Sequence, residues 1–458
     1  MTCKNKWSYV AVLLFFAAAI YVDISVHKWS RNAVLVFDIA GYHHYLPATF
    51  IYHDILKYDF LDSLDVKYAF TQGLQKKFGL HPTPKNHNLC NQYPMGVSIF
   101  QLPAFAIAHA WAVATKQHPA DGYSSPYQHG VVLSTLFFAV LALIILILFL
   151  KHYFSDKVIF FTLILLSFGT NFFQYATLDS GFSHIYLFFL YASVLYLSLL
   201  WYQKATVLNS ILMGMCIGLA AITRPIDILI CIIPLCWQST TIPKLTYWRT
   251  NYSYILLIIG VTFLTCLPQL LYWKFVSGQW IYFSYSINDY FSFNRFRVMH
   301  GLFSYRKGWF IYTPLALLAF CQMFSIRKES IFEGYKNVFW AFFIPMIYLV
   351  FSWHNWFYGW SFGCRALIGT LPLLAIPLAL TLKHISESSK LKQVVMSSVL
   401  LFFVYLNLFQ TWQFNNSILH GTLMNETTYW KVFLKTKKPS SVDKCHELQQ
   451  EMDWNTGE

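Results

Sequence analysis

Asp38 stands in the run Asp38-Ile-Ala-Gly-Tyr-His-His-Tyr-Leu-Pro, just past an apolar stretch at 7–26. A carboxylate placed there suits general-base work, which needs only an ionised acid held within reach of a hydroxyl proton. A second acid, Asp179, lies in a tight turn between two apolar runs, and His184 follows about one helical turn later. Arg224, Arg295, Arg297, Arg306 and Arg365 carry planar guanidinium forks that donate bidentately to phosphate oxygens. Tyr42, His43, His44, Tyr45, Asp54, Tyr93, Asp227, His300, Trp353, His354 and Trp356 complete a polar and aromatic set fit to line a substrate site. Such a set can deprotonate an acceptor hydroxyl, steady a departing phosphate with cations and wall a sugar ring with aromatics.

Each residue also has a plainer use. An Asp in a turn caps the following helix, so Asp179 can be a cap. Asp227 can pair with Arg224 across one helical turn, since ions in a membrane protein find partners. His43 and His44 lack the HxxxH or HExxH spacing of metal ligands and read more simply as packed side chains. Trp353, Trp356 and Trp360 suit an interfacial belt as well as a sugar platform.

The elements that must position these residues are membrane helices. The chain is 57% hydrophobic and 12% charged, a composition that marks a multispanning membrane protein. The net charge of +13 is scattered between apolar runs with no nucleic-acid motif, so the basic partner is anionic lipid and not nucleic acid. Apolar segments at 7–26, 126–150, 158–175, 181–202, 207–222, 225–238, 251–272, 309–325, 336–352, 364–382 and 393–412 predict about eleven spans. The first is read as an uncleaved signal anchor, for no small-residue cleavage site follows it. The stretch 97–114, interrupted by Pro103 and His109, is expected to lie along the membrane surface or re-enter it.

With the N-terminus inside, Lys151, Lys157, Lys204, Lys244, Arg249, Arg327, Lys328, Lys336, Lys383, Lys390 and Lys392 all fall on inner connections, as the positive-inside rule requires. The long first loop, 28–122, and an external tail, 413–458, then lie outside. A loop of this length is usually functional, and it is expected to carry a short amphipathic helix over 46–58. One outer loop, between Lys274 and Trp309, breaks the rule with Arg295, Arg297, Arg306 and Lys307, which suits a phosphate held at the outer face. Acids, arginines and aromatics thus converge on one face. Of the cysteines, Cys90, Cys364 and Cys445 face the outer compartment, and a bridge among them is left open.

In this order and sidedness, the chain resembles the GT-C integral-membrane glycosyltransferases, most of all the aminoarabinose transferase and protein O-mannosyltransferase branch. The resemblance rests on the Asp38 run, on Tyr93-Pro-Met-Gly-Val-Ser with Leu102-Pro103, on Thr223-Arg224-Pro225, on Gly308-Trp309-Phe310-Ile311-Tyr312-Thr313-Pro314 and on Gly363-Cys364-Arg365. It implies an all-α GT-C-like domain over 1–412 that moves a sugar from a polyprenyl-phosphate donor, usually with inversion. The acceptor side is extracytoplasmic, and the membrane is the bacterial cytoplasmic membrane. Asp38 matches the family's first-loop acid and Asp179 the second acidic position. Asp179 is a lone acid here, which leaves divalent-metal dependence open. The tail has no room for a large external domain, which favours a glycolipid or envelope-glycan acceptor over a protein.

The competing readings are a flippase for a lipid-linked sugar, a polysaccharide polymerase or ligase, and a non-catalytic envelope subunit. A transporter commonly shows repeated halves and midplane polar residues, neither of which is evident. The polymerases carry their large loop late in the chain, whereas here it comes early.

Overall fold

A computed structural model of the chain describes residues 6–71, 73, 75–85, 87–237, 243–286, 289–326 and 332–442. Helix α1 (Lys6–Val26) runs apolar to its last turn and stops where His27 and then Asn32 adopt left-handed backbone around one 3-10 turn, Lys28–Arg31. The long insertion then folds into α2 (Phe37–His43), α3 (Tyr45–Phe50), α4 (Leu61–Tyr68), an antiparallel hairpin of β1 (Leu80–Pro82) on β2 (Leu89–Asn91), and α5 (Gly96–Thr115). It has its own core of Val34, Leu35, Ile39, Tyr58, Leu61, Phe70 and Tyr123. Asp121 ties that core together, accepting from the Tyr68 hydroxyl, from Lys67 Nζ at 2.9 Å and from the Tyr123 and Ser124 N–H groups at 3.0 Å.

The helix expected over 46–58 is shorter. Helix α3 ends at Phe50, and His53 turns left-handed. Asp54 then folds the chain around its carboxylate, which accepts from the Lys57 N–H at 3.0 Å and the Asp59 N–H at 2.7 Å. An Asp that offers the backbone a local partner competes with the helix ladder.

The rest is a helical bundle: α6 (Ser125–Leu150), α7 (Asp156–Phe168), α8 (Phe172–Ala176), α9 (Ser183–Gln203), α10 (Val207–Thr223), a 3-10 turn Pro225–Cys231 leading into α11 (Ile232–Cys236), α12 (Lys244–Thr250) and α13 (Tyr252–Ser277). It continues through α14 (Val298–Phe303), α15 (Trp309–Tyr312), α16 (Pro314–Ser325), α17 (Glu333–Ser352), a 3-10 segment Arg365–Leu374 that leads into α18 (Ala375–Ser386), α19 (Lys390–Asn415) and α20 (Glu426–Val432). Helix α9 is the central pillar. Its Ile185, Tyr186, Leu187, Phe188, Tyr191 and Leu195 are sealed from solvent between α6, α10 and the 365–374 segment.

Among the described residues, eight helices are long and apolar enough to cross a membrane: the one beginning at Lys6, then α5, α6, α9, α13, α17, the 365–386 unit and α19. This differs from the expected set in both directions. The segments expected at 158–175, 207–222, 225–238 and 309–325 form shorter helices, while α5 meets the length and apolarity of a span. Its contacts place α5 beside the first turns of α6. Ser134 Oγ donates to the Phe100 carbonyl at 3.2 Å, and His109 Nδ1 lies 2.6 Å from the Tyr127 hydroxyl.

The Lys-bearing connections gather at the end of the bundle away from Asp38. There the Trp7 N–H donates to Asp156 at 2.8 Å, Trp248 Nε1 to the Tyr202 hydroxyl at 2.9 Å, and the rings of Tyr153 and Phe332 meet at 5.6 Å. Arg327 and Lys328 lie outside the described residues. The tail is not simply polar: Phe414, Ile418, Leu419, Tyr429 and Val432 fold back on Tyr312 and Phe362 as a separate core. Cys90 and Cys364 are free and buried, and Cys445 lies outside the described residues.

Candidate functional site

Asp38 is the second residue of α2. The residue before it, Phe37, has φ +46°, a conformation costly for a bulky side chain and found where surrounding structure enforces it. The enforcement is visible: the Phe37 N–H donates to the Phe70 carbonyl at 2.8 Å, and its ring meets Phe78 edge-on. One carboxylate oxygen of Asp38 accepts from the Tyr93 hydroxyl at 2.7 Å, and the other pairs with Arg365 Nη2 at 2.9 Å.

The glycines of the two sequence motifs explain this reach. A Cβ on Gly41 would collide with the Tyr93 ring, and one on Gly96 with the Thr223 side chain and backbone. Gly41 therefore lets Tyr93 lie flat against α2. Gly96 brings α5 onto the end of α10, next to Arg224. Asn91 fixes the approach by donating to the Gly41 carbonyl at 2.7 Å and accepting from the Tyr93 N–H at 3.0 Å.

Arg365 and Arg224 each open a 3-10 segment. The Arg365 guanidinium lies over the Phe182 ring at 5.0 Å. Arg224 pairs two-pronged with Asp227, whose side chain is fully buried, and donates to the Ala366 carbonyl at 2.8 Å. Tyr191 donates to the same Asp227 carboxylate at 2.8 Å. Asp227 is thus a buried counter-ion that orients Arg224, and not a surface that a substrate touches.

Neighbouring groups register these charges together. Burial pushes the Tyr42 hydroxyl up to about 12, Asp38 adds to the rise, and Arg365 and Arg224 oppose it. Tyr285 and Tyr358 are raised above the ordinary phenol value, first by burial. Asp38 adds to the first and Arg224 opposes in both. Lys307 is buried on the Ser361 carbonyl and hydroxyl. Burial, then Arg365, then Arg306 hold its ammonium pKa well below the usual lysine value. Asp38, Arg224 and Arg365 therefore share one field, and Lys307 stands within reach of Arg365.

Among the described residues Asp179 makes no ion pair with an arginine. Its carboxylate takes Gln174 Nε2 at 2.9 Å and Lys28 Nζ at 3.4 Å, and Lys28 also donates to the Leu178 carbonyl. This clips the end of α1 to the turn before α9. Among the described residues no group of three His, Cys, Asp or Glu side chains is gathered where it could hold a metal ion. An acid held by an ammonium and an amide is a poor donor set for a divalent cation.

The remaining candidates divide by location. Tyr42 packs on Tyr93 with tilted rings at 4.7 Å, and Tyr45 donates to the Tyr93 carbonyl at 2.7 Å, so both frame the acid's partner. His43 and His44 are buried behind it. His43 lies between Gln101 and the Gly122 carbonyl, and His44 sits 2.8 Å from the Tyr123 hydroxyl. Burial lowers both, His44 to about 3. Asp54 serves its own turn, as described above. Arg297 donates to the His354 carbonyl at 3.2 Å, and His354 faces Asp289 at 3.5 Å. Trp353 packs on Phe291 at 4.8 Å, and Trp356 on His300 at 5.8 Å. Arg306 donates to the Thr422 carbonyl at 2.9 Å and covers the Phe357 ring, while Arg295 is exposed in its loop. These residues zip the 289–306 loop to 351–357 and to the folded tail. Tyr285 and Tyr358 were not singled out from sequence, and nothing distinguishes them among 30 tyrosines before the fold is known.

The chain forms an all-α, multispanning integral membrane protein; compared with protein-family models, curated proteins and solved structures, it matches none.

Proposed function

We propose that this protein is a GT-C-like membrane glycosyltransferase that moves a sugar from a polyprenyl-phosphate carrier to a glycolipid or envelope-glycan acceptor outside the cytoplasm. The observation that carries this reading is the setting of Asp38. Tyr93 and Arg365 hold one acid, Arg224 stands in the same field, and these four residues come from three separate connections at one end of the bundle. About eleven crossings account for the layout: α1, α6, α7 with α8, α9, α10, 225–236, α13, α16, α17, 365–386 and α19. Helix α5 then lies in the layer around Asp38. The Lys-rich end faces the cytoplasm.

In this reading Asp38 accepts the proton of the acceptor hydroxyl. The acceptor oxygen bonds to the anomeric carbon as the bond from that carbon to the phosphate oxygen breaks, and the electron pair leaves with the phosphate. A direct displacement of this kind inverts the anomeric centre. Arg365, oriented over Phe182, meets the charge that develops on the leaving group. Such fixed cations are typically worth about 3–4 kcal/mol in the transition state. Tyr93 and Tyr42 orient the acid. The test is a lipid and glycan analysis of cells that lack the protein. The expected result is an accumulated polyprenyl-phosphate sugar together with one sugar missing from an envelope acceptor. Unchanged lipids and glycans in such cells contradict the proposal.

A further inference from the structure

In this structure Asp38 is occupied. One oxygen takes the Tyr93 hydroxyl and the other the Arg365 guanidinium, so each already carries a donor before an acceptor hydroxyl arrives. Among the described residues, the Arg365 side chain has Asp38 alone as its polar partner, the Phe182 ring supplying the rest of its seat. Arg224 differs, for Asp227 and the Ala366 carbonyl engage it from two directions. Of the two arginines, Arg365 is the one able to change partners.

Beside it stands a polar group with nothing to bind. His184, in the first turn of α9, is 6% exposed. It stacks on the same Phe182 ring at 5.7 Å and meets Tyr175 edge-on at 5.2 Å. Neither of its ring nitrogens has a hydrogen-bond partner among the described residues. Burying an unsatisfied polar group costs about 1–3 kcal/mol. An acceptor arriving at the imidazole N–H would recover that cost.

We infer that the Asp38–Arg365 pair is a lock opened by the donor: a phosphate group seated between Arg365 and His184 takes over the guanidinium and releases the Asp38 carboxylate to act as base. This rests on the glycosyl-transfer reading above and adds an order of events to it. Exchange of partners, unlike simple breakage, keeps the guanidinium paired and leaves the released Asp38 carboxylate on the Tyr93 hydroxyl, and an unpaired buried charge is what makes breaking an ion pair expensive. The guanidinium trades one oxyanion for another, and the imidazole gains a bond. Before the donor arrives the acid is held idle, so the acceptor is activated only when a leaving group is in place.

The test is binding alone, with farnesyl phosphate titrated into the full-length, detergent-solubilised protein and read by tryptophan fluorescence. Because Asp38 and the phosphate compete for Arg365, Asp38→Asn should bind the probe roughly tenfold more tightly than wild type, within the usual range of site coupling. That gain should vanish in an Arg365→Gln background. His184→Phe should weaken binding. Inorganic phosphate should follow the same pattern at lower affinity, and farnesol should not bind. Equal affinity of wild type and Asp38→Asn overturns the lock. So does a gain that persists without Arg365, which would report simple charge repulsion. Failure of farnesyl phosphate to bind either protein, or binding of farnesol as tightly as its phosphate, overturns the anion seat. Carbodiimide labelling of Asp38 in the wild type gives a second reading that does not depend on the variants folding. Labelling should rise when inorganic phosphate is added, and unchanged labelling at saturating phosphate counts against release of the acid. Sugar transfer is not measured here, so an active transferase with equal affinities would keep its function and lose the lock.

Discussion

At the scale of single residues, the account turns on how Tyr93 reaches Asp38. Tyr93→Phe removes one hydrogen bond to the carboxylate and nothing from the fold. Transfer is expected to fall by about tenfold to a hundredfold, as for a lost orienting group, with the melting temperature unmoved. Gly41→Ala is the sharper case, since the added methyl drives into the Tyr93 ring. It should lose activity as Tyr93→Phe does, and also cost about 1–3 kcal/mol through overpacking, seen as a lowered melting temperature. An unchanged melting temperature in Gly41→Ala would mean that the ring does not lie where described. The acid and the Tyr93 motif were legible in the sequence because both are polar interruptions beside apolar runs. The pairing of Asp38 with Arg365 was not, because no local spacing records which of five arginines a distant acid will meet. The plain reading of Asp227 as the partner of Arg224 was legible, since i and i+3 residues share a helical face.

At the scale of elements, two joints carry the assembly. Asp121 fastens α4 to the turn before α6, and the bonds it accepts from Tyr68, Lys67 and two backbone N–H groups outweigh the burial that opposes its charge, holding its carboxyl below the usual value. A depressed carboxyl stabilises the fold above its unfolded pKa and loses that contribution as the pH falls through the folded value. Stability of the insertion should therefore decline below about pH 4. Asp121→Asn should flatten that part of the pH profile and lower stability at neutral pH by about 1–3 kcal/mol, both measurable by thermal melts across pH. The second joint is α10 on α13. Gly214 and Gly218 let the helices close onto Ile258, Val261, Thr262 and Thr265, and Thr262 donates to the Gly214 carbonyl at 3.1 Å. Small residues four apart are the usual device for close membrane-helix contact. Gly218→Leu should separate the pair and lower the melting temperature, whereas Gly260→Leu on the open side of α13 should not. The long apolar helices were readable from composition. The helix expected over 46–58 failed because Asp54 bonds its own turn, while Pro103, which interrupts the apolar run 97–114, does not break α5, which continues through it from Gly96 to Thr115.

For the whole molecule, the reading requires two unlike ends: acids and arginines at one, lysines at the other. Ser63→Cys in the insertion and Ser389→Cys before α19 lie at opposite ends, and both positions are exposed. A membrane-impermeant maleimide applied to intact cells should label the first and spare the second until the cells are opened. The reverse pattern would place the site in the cytoplasm. This sidedness is an expectation drawn from the distribution of Lys and Arg, which depends on sequence order and not on contacts. The sequence placed Asp38, Arg224 and Arg365 only at one expected end of the bundle, and their gathering came from contacts that sequence order does not record.

The most direct measurement returns Asp38→Asn to cells lacking the protein, at wild-type abundance, and compares their lipids and envelope glycans with those of cells given the wild-type chain. The wild type should clear the accumulated polyprenyl-phosphate sugar and restore the missing glycan sugar, and Asp38→Asn should do neither. Full restoration by Asp38→Asn would contradict the account, for it would leave the held carboxylate without the proton it is there to take.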